Sequence, residues 1–427
     1  VSAVEDILSG IAIPPLARAR QHFSRPVLQD VATAVRQEMQ KPGLLDTVRP
    51  GDRVAIAVGS RGIANLSLII ATLVECLKSV GAEPFIVPAM GSHGGATAAG
   101  QTAVLADYGV TPEVIGAPVI SSLEVTNLGS AAEPIYFDKQ AIAAEHTVAV
   151  GRVKMHPAFR GDYESGLVKM IAIGLGKQKG AELCHGFGIE NMAFHIERIA
   201  RIALSRANIL CGVALLENAY DETCQILALP AAEILVTEPS LLLAAKQYMP
   251  QIYFPQVDVL IIDEMGKNIS GTGMDPNIIE RYTTPTIANT NKFQRIVVRD
   301  LTPESHGNFN GAGLADICTR RLFNKMNFAA TYPNQLTSRV VASGRIPMVM
   351  ENDRMAIQAA IKTCCGVDYA NLRIVRIKNT MELAEIMISP ALLPEAVNHP
   401  QVEIIDRLQD IAFDAAGNLL DQCNIAQ

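Results

Sequence analysis

The sequence predicts an α/β protein of two domains, each built on a mainly parallel sheet, with an active-site cleft between them. Three observations predict it. The chain has 427 residues, more than one hydrophobic core ordinarily fills. Its first half alternates short apolar runs with stretches of helical periodicity, the pattern of parallel strands joined by right-handed crossovers. A second series of the same kind begins after a proline-bearing stretch at 250–256. The division is therefore placed there, with an N-terminal α/β domain over 1–250 and a C-terminal α/β domain over 251–427 that closes the cleft.

The elements follow in order. Arg53–Val58 is a short apolar run after the turn signal Pro50-Gly51 and reads as a buried strand. Leu66–Ser79 carries apolar residues at helical spacing and stops at Gly81. Residues 84–88 form the next strand, which runs directly into Gly91-Ser-His-Gly-Gly95, and 98–108 is helical up to Gly109. Further strands are expected at 125–128, 147–153 and 212–216, with a helix over 238–248. In the second half, strands are expected at 257–263, 293–299 and 372–377, with helices at 314–324 and 353–364 between them.

Composition narrows the function. Hydrophobic residues make up 49% and charged residues 19%, enough for large cores and against disorder. The net charge is −7 without a long basic run, which argues against a nucleic-acid partner. There is no stretch of about 18 uncharged apolar residues, so no membrane span is expected. The opening Val-Ser-Ala-Val-Glu-Asp lacks the layout of a secretion signal. Eight cysteines without a CxxC pair read as reduced thiols in a cytoplasmic protein.

Ligands of open parallel sheets sit at the carboxyl ends of the strands, so the loops there carry the chemistry. Gly59-Ser60-Arg61-Gly62 follows the first strand; its glycines admit a close ligand, and Arg61 adds a planar fork for phosphate or carboxylate. Met90-Gly-Ser-His93-Gly-Gly95 places an imidazole in a glycine loop, suited to moving protons near neutrality. The third loop runs from Arg152 through Lys154, His156, Arg160 and Glu164 to Lys169. A lysine at the start of an apolar helix is disfavoured by the helix dipole, so Lys169 suits a nucleophile or covalent anchor. Cys184-His185 offers soft-metal ligands, although neighbours in sequence do not face one another on a helix. In the second half, the polar loop from Gly266 through Lys267 to Asn277 follows a strand but matches neither a P-loop nor a dinucleotide fingerprint. His22, His146, His195 and His399 lack glycine context and read as structural.

These motifs resemble the lactate racemase family, in its branch of nickel-pincer nucleotide-dependent 2-hydroxyacid racemases and epimerases. The resemblance rests on Gly59 to Ile63, Met90 to Gly95, Lys154 to Lys169, His185, and Gly266 to Asn277. It implies an isomerase that inverts C2 of a small 2-hydroxy acid by reversible hydride transfer to a nickel-pincer nucleotide. The cofactor would be pyridinium-3,5-bisthiocarboxylic acid mononucleotide nickel, joined covalently to Lys169. His93 and His156 match the family's two acid/base histidines. His185, sixteen residues after Lys169, matches the nickel ligand. Ser60, Arg61 and Lys267 fall on the cofactor side. The implied partners are the 2-hydroxy acid and the enzymes that assemble the cofactor. The loops at 59–62 and 266–277 depart from the family prototype, which leaves the acid unnamed. Two other readings stand beside this one: a nicotinamide-dependent 2-hydroxyacid dehydrogenase, and a two-domain protein that clamps a small anion.

Overall fold

The computed structural model describes residues 3–59, 62–290 and 292–420. The chain divides into two compact units, one formed by Ser24–Met249 and the other by Val1–Phe23 with Pro250–Gln427. The expected first domain began at residue 1, and here the structure differs. Ala17–Gln21 pairs antiparallel with Glu385–Ile388 on one side and with Val402–Ile404 on the other. Those ladders tie the first residues to the far end of the chain, a pairing that local periodicity cannot announce.

The unit Ser24–Met249 holds a five-stranded sheet in the order Glu83–Pro88, Arg53–Val58, His146–Arg152, Ile209–Glu217, Thr223–Pro230. The first four strands run parallel and the last is antiparallel. Val54, Ile56 and Val58 are fully buried, as both faces of a parallel sheet are covered. One face packs Ile69, Ile70, Leu73 and Leu77 of the helix Leu66–Ser79 against Ile86, Val148 and Val213. The chain passes from Arg53–Val58 outward to Glu83–Pro88, then returns to the opposite side at His146–Arg152. That reversal creates a switch point beyond Val58 and Arg152, where open α/β sheets bind ligands. Val125–Asn127 is not part of this sheet; it forms a separate antiparallel ribbon with Tyr136–Asp138.

The other unit holds an eight-stranded mixed sheet in the order Met348–Met350, Ile317–Thr319, Phe293–Leu301, Val257–Met265, Ile374–Ile377, Glu385–Ile388, Ala17–Gln21, Val402–Ile404. The first five strands are parallel. Its core joins Val259, Ile261, Val297, Ile317 and Ile374 to Ile357 and Ile361 of the helix Asp353–Thr363. The helix expected over 314–324 is shorter. Ile317–Thr319 extends the sheet beside Phe293–Leu301, and only Arg320–Lys325 is helical, with the Thr319 side chain accepting from Leu322 N–H as its cap. Sheet pairing overrides local helical periodicity here. No helix among the described residues is long and apolar enough to cross a membrane.

Candidate functional site

The site grows from the strand ends of the unit Ser24–Met249. Leu167–Lys169 starts as an α-helical turn and widens at once into a π-helical turn, Met170–Gly174. Such turns are uncommon and recur at functional sites. Two strand-end segments press on it. A Cβ on Gly59 would lie 2.9 Å from Met170 Cε. A Cβ on Gly174 would lie 2.6 Å from the Ala89 carbonyl oxygen, and one on Gly91 would lie 3.3 Å from Ile173 and 3.4 Å from Ala181. Glycine is needed at 174 because the backbone after Glu83–Pro88 passes directly over it.

His93 is exposed and stands just before the short turn Gly94–Ala96. Its loop is held from behind by Gln101, a fully buried side chain whose Nε2 donates to the carbonyls of Gly91 (3.0 Å) and His93 (3.2 Å). His156 lies in the loop beyond His146–Arg152, which folds back through the bridge between Lys154 and Ser165. Glu164, also fully buried, accepts from His156 N–H (2.6 Å) and from Lys246 Nζ (2.8 Å). The His156 ring stacks on Phe159 with centroids 4.1 Å apart. Ala158 N–H donates to His156 Nδ1 at 3.1 Å. This bond assigns the hydrogen of the neutral ring to Nε2.

Lys169 shares the Phe159 ring with His156, its Nζ lying 5.9 Å from the centroid. The charge of Lys169 also reaches the buried thiol of Cys184, although burial dominates there and pushes that thiol up to about 12. Lys169 is therefore close to the helix Lys177–Gly186, which carries His185. Ala181, one turn before His185 on the same helix face, is the residue that meets Gly91. The segments bearing His93, His156, Lys169 and His185 thus converge on one π-helical turn. Ser60 and Arg61 lie outside the described residues. Lys267 belongs to the other unit, where its Nζ donates to the Gly271 carbonyl (2.6 Å) and its N–H to Ser305 Oγ (2.9 Å). His195, read as structural, stacks on Phe187 with centroids 3.7 Å apart, and burial lowers its pKa.

Sequence reasoning missed the buried polar groups that support these loops. Lys177 is fully buried, pairs with Asp138 at 2.6 Å and donates to the Pro88 carbonyl, tying the His185 helix to a strand end. Burial lowers its pKa against the opposing pull of Asp138. Glu238, 1% exposed, accepts from Val168 N–H at 3.0 Å and from Leu167 N–H. Its neighbour Pro239 sits inside the helix Ala231–Tyr248 and leaves the Leu235 carbonyl without its helical donor; Tyr163 Oη donates to that carbonyl at 2.6 Å. A signal was present, since Gln101 and Glu-Pro at 238–239 both interrupt apolar helical stretches.

Among the described residues, no three His, Cys, Asp or Glu side chains are grouped to hold a metal ion. What the fold and these residues define is an α/β protein in which the segments bearing His93, His156, Lys169 and His185 lie at strand ends around one turn. Residues 17–194 match the family model of the lactate racemase N-terminal domain, so the resemblance read from the motifs holds over the segment with His93, His156, Lys169 and His185. A comparison with curated proteins gives no match. Among solved structures, the chain is similar to the lactate racemase apoprotein from Thermoanaerobacterium thermosaccharolyticum, with 14% identity, 85% of each chain covered and a TM-score of 0.46.

Proposed function

We propose that this protein is a racemase or epimerase of a small 2-hydroxy acid, acting with a nickel-pincer nucleotide attached to Lys169. The observation that carries the reading is the convergence of the His93, His156, Lys169 and His185 segments on the turn Met170–Gly174, within the stretch that matches the lactate racemase N-terminal domain. Lys169 would form the covalent link and His185 would add a neutral imidazole to the nickel. Ser60, Arg61 and Lys267 are assigned to the cofactor side. When bound, the group supplies an electrophilic acceptor for the C2 hydrogen, which no protein side chain provides.

The chain's own residues handle the proton. Inversion requires the hydroxyl of either enantiomer to lose its proton and the planar 2-keto acid to regain one. His93 and His156 arise from different strand ends, so each can serve one enantiomer from within about 3 Å. Phe159 packs the His156 ring; with its hydrogen on Nε2 that nitrogen is a donor, and taking a hydroxyl proton there requires the other tautomer, with hydrogen on Nδ1 and the Ala158 contact open. Buried Gln101 and Glu164 keep both loops in place so that little order has to be gained on binding. The reading assigns the protein a cytoplasmic home, with cofactor-assembling enzymes as its partners.

The test is a mass spectrum. Full-length protein made together with cofactor-assembling enzymes is digested and the peptide holding Lys169 is weighed. An added mass on Lys169, absent from Lys169→Ala, supports the reading; a chain active on a 2-hydroxy acid with Lys169 unmodified overturns the covalent link.

A further inference from the structure

We propose that Glu238 is the positioning residue for Lys169, fixing the direction of its amine relative to the His156 ring. The proposal deepens the reading above and rests on Lys169 being the attachment point. Glu238 lies 70 residues beyond Val168 yet its Oε2 accepts from that residue's N–H at 3.0 Å, and its carboxylate also receives Leu167 N–H. The turn that carries Lys169 is thus held by an acceptor from another helix, because Gly166 before it has no side chain to supply one. Gly166 itself is shaped to this partner: a Cβ there would lie 2.3 Å from Glu238 Oε1 and 2.6 Å from Cδ.

The same helix holds the rest of the loop. Its Leu235 carbonyl takes Tyr163 Oη, and its Lys246 reaches Glu164, which in turn receives His156 N–H. One helix, Ala231–Tyr248, therefore sets His156 through Lys246 and Lys169 through Glu238. A carboxylate in so dry a place is costly to the fold, and burial raises its pKa. A site that keeps a costly group for the order it imposes is a common arrangement around reactive residues.

The experiment uses full-length protein produced with the cofactor-assembling enzymes, as wild type, Glu238→Gln and Glu238→Met. Gln keeps an oxygen that can accept from Val168 N–H; Met keeps the length and removes the acceptor. Amide hydrogen exchange at Leu167 and Val168 and the fraction of chains with added mass on Lys169 are both read. In Glu238→Met, exchange at Val168 rises by about tenfold or more, and the loaded fraction falls by about fivefold or more. In Glu238→Gln, compared at about pH 5 where the wild-type carboxyl is also neutral, both stay within about twofold of wild type. A role in general stability alone predicts instead that exchange rises throughout Ser24–Met249 in both variants. Unchanged exchange at Val168 in Glu238→Met, or full loading of Lys169 in it, overturns the proposal. If wild-type Lys169 carries no added mass, the attachment reading fails and the positioning role falls with it, while exchange at Val168 still reports whether Glu238 holds the turn. Should Glu238→Met not fold, Glu238→Asp, which withdraws the carboxylate by one methylene, takes its place with the same expectations.

Discussion

The buried carboxyl of Glu238 makes the stability of its unit depend on pH in a direction opposite to most carboxylates. Burial pushes this group up from its ordinary 4.5 to about 7, against the pull of the Val168 and Leu167 amides. The folded state therefore binds this proton more tightly than the unfolded chain does. The stabilisation is fully present below about pH 4.5 and is lost as pH rises through about 7. A rise of that size corresponds to about 3 kcal/mol, at about 1.4 kcal/mol for each tenfold change in proton affinity. Little solvent screening applies, because the residue is 1% exposed. Glu238→Gln keeps the shape and removes the titration. Its stability relative to wild type should thus improve by about 3 kcal/mol between pH 4.5 and pH 8. All other titrations are common to both proteins and cancel in the difference. The chain has no tryptophan, so urea unfolding is followed by hydrogen-exchange mass spectrometry, which also reads Ser24–Met249 by itself. A difference between variant and wild type that stays constant with pH would refute the account of a carboxyl held neutral by burial.

Other changes have equally definite outcomes. Lys177→Met strands the Asp138 carboxylate in the core and should cost about 3–5 kcal/mol in urea unfolding, with part of the loss recovered by adding Asp138→Asn. Gly174→Ala pushes a methyl into the Ala89 carbonyl and should cost about 1–3 kcal/mol by the same measurement. Gln101→Leu leaves the Gly91 and His93 carbonyls without their buried donor; amide exchange should quicken across 91–97 and remain unchanged in Arg53–Val58. His93→Ala and His156→Ala should each lose inversion of the substrate while retaining added mass on Lys169, as read by chiral chromatography and peptide mass.

Much of the scaffold was legible in the sequence because it is locally encoded. Arg53–Val58 and Leu66–Ser79 appear with the bounds that their apolar run and helical spacing predict, since each element buries residues its own periodicity brings to one side. The loops that follow strands were legible for the same reason, and His93, His156, Lys169 and His185 all fall on segments around one turn. What escaped is nonlocal. Ala17–Gln21 looks like any short segment until it is paired with strands more than 350 residues away. Ile317–Thr319 has the spacing of a helix and becomes a strand because the edge of a parallel sheet is open beside it. The unfavourable setting of Lys169 at a helix start was visible, whereas Glu238, the group that holds that turn, lies on a helix far along the chain. Gln101 and Lys177 were passed over because a buried polar residue differs from a solvated one only in its surroundings.

The most direct measurement is chiral chromatography of a panel of single-enantiomer 2-hydroxy acids after incubation with protein carrying the added mass on Lys169. At least one acid should turn into its mirror image or epimer without added nicotinamide cofactor, and the conversion should vanish with His93→Ala. Loaded protein that leaves every acid unchanged, or that converts one only to the keto acid when NAD is supplied, would contradict the account.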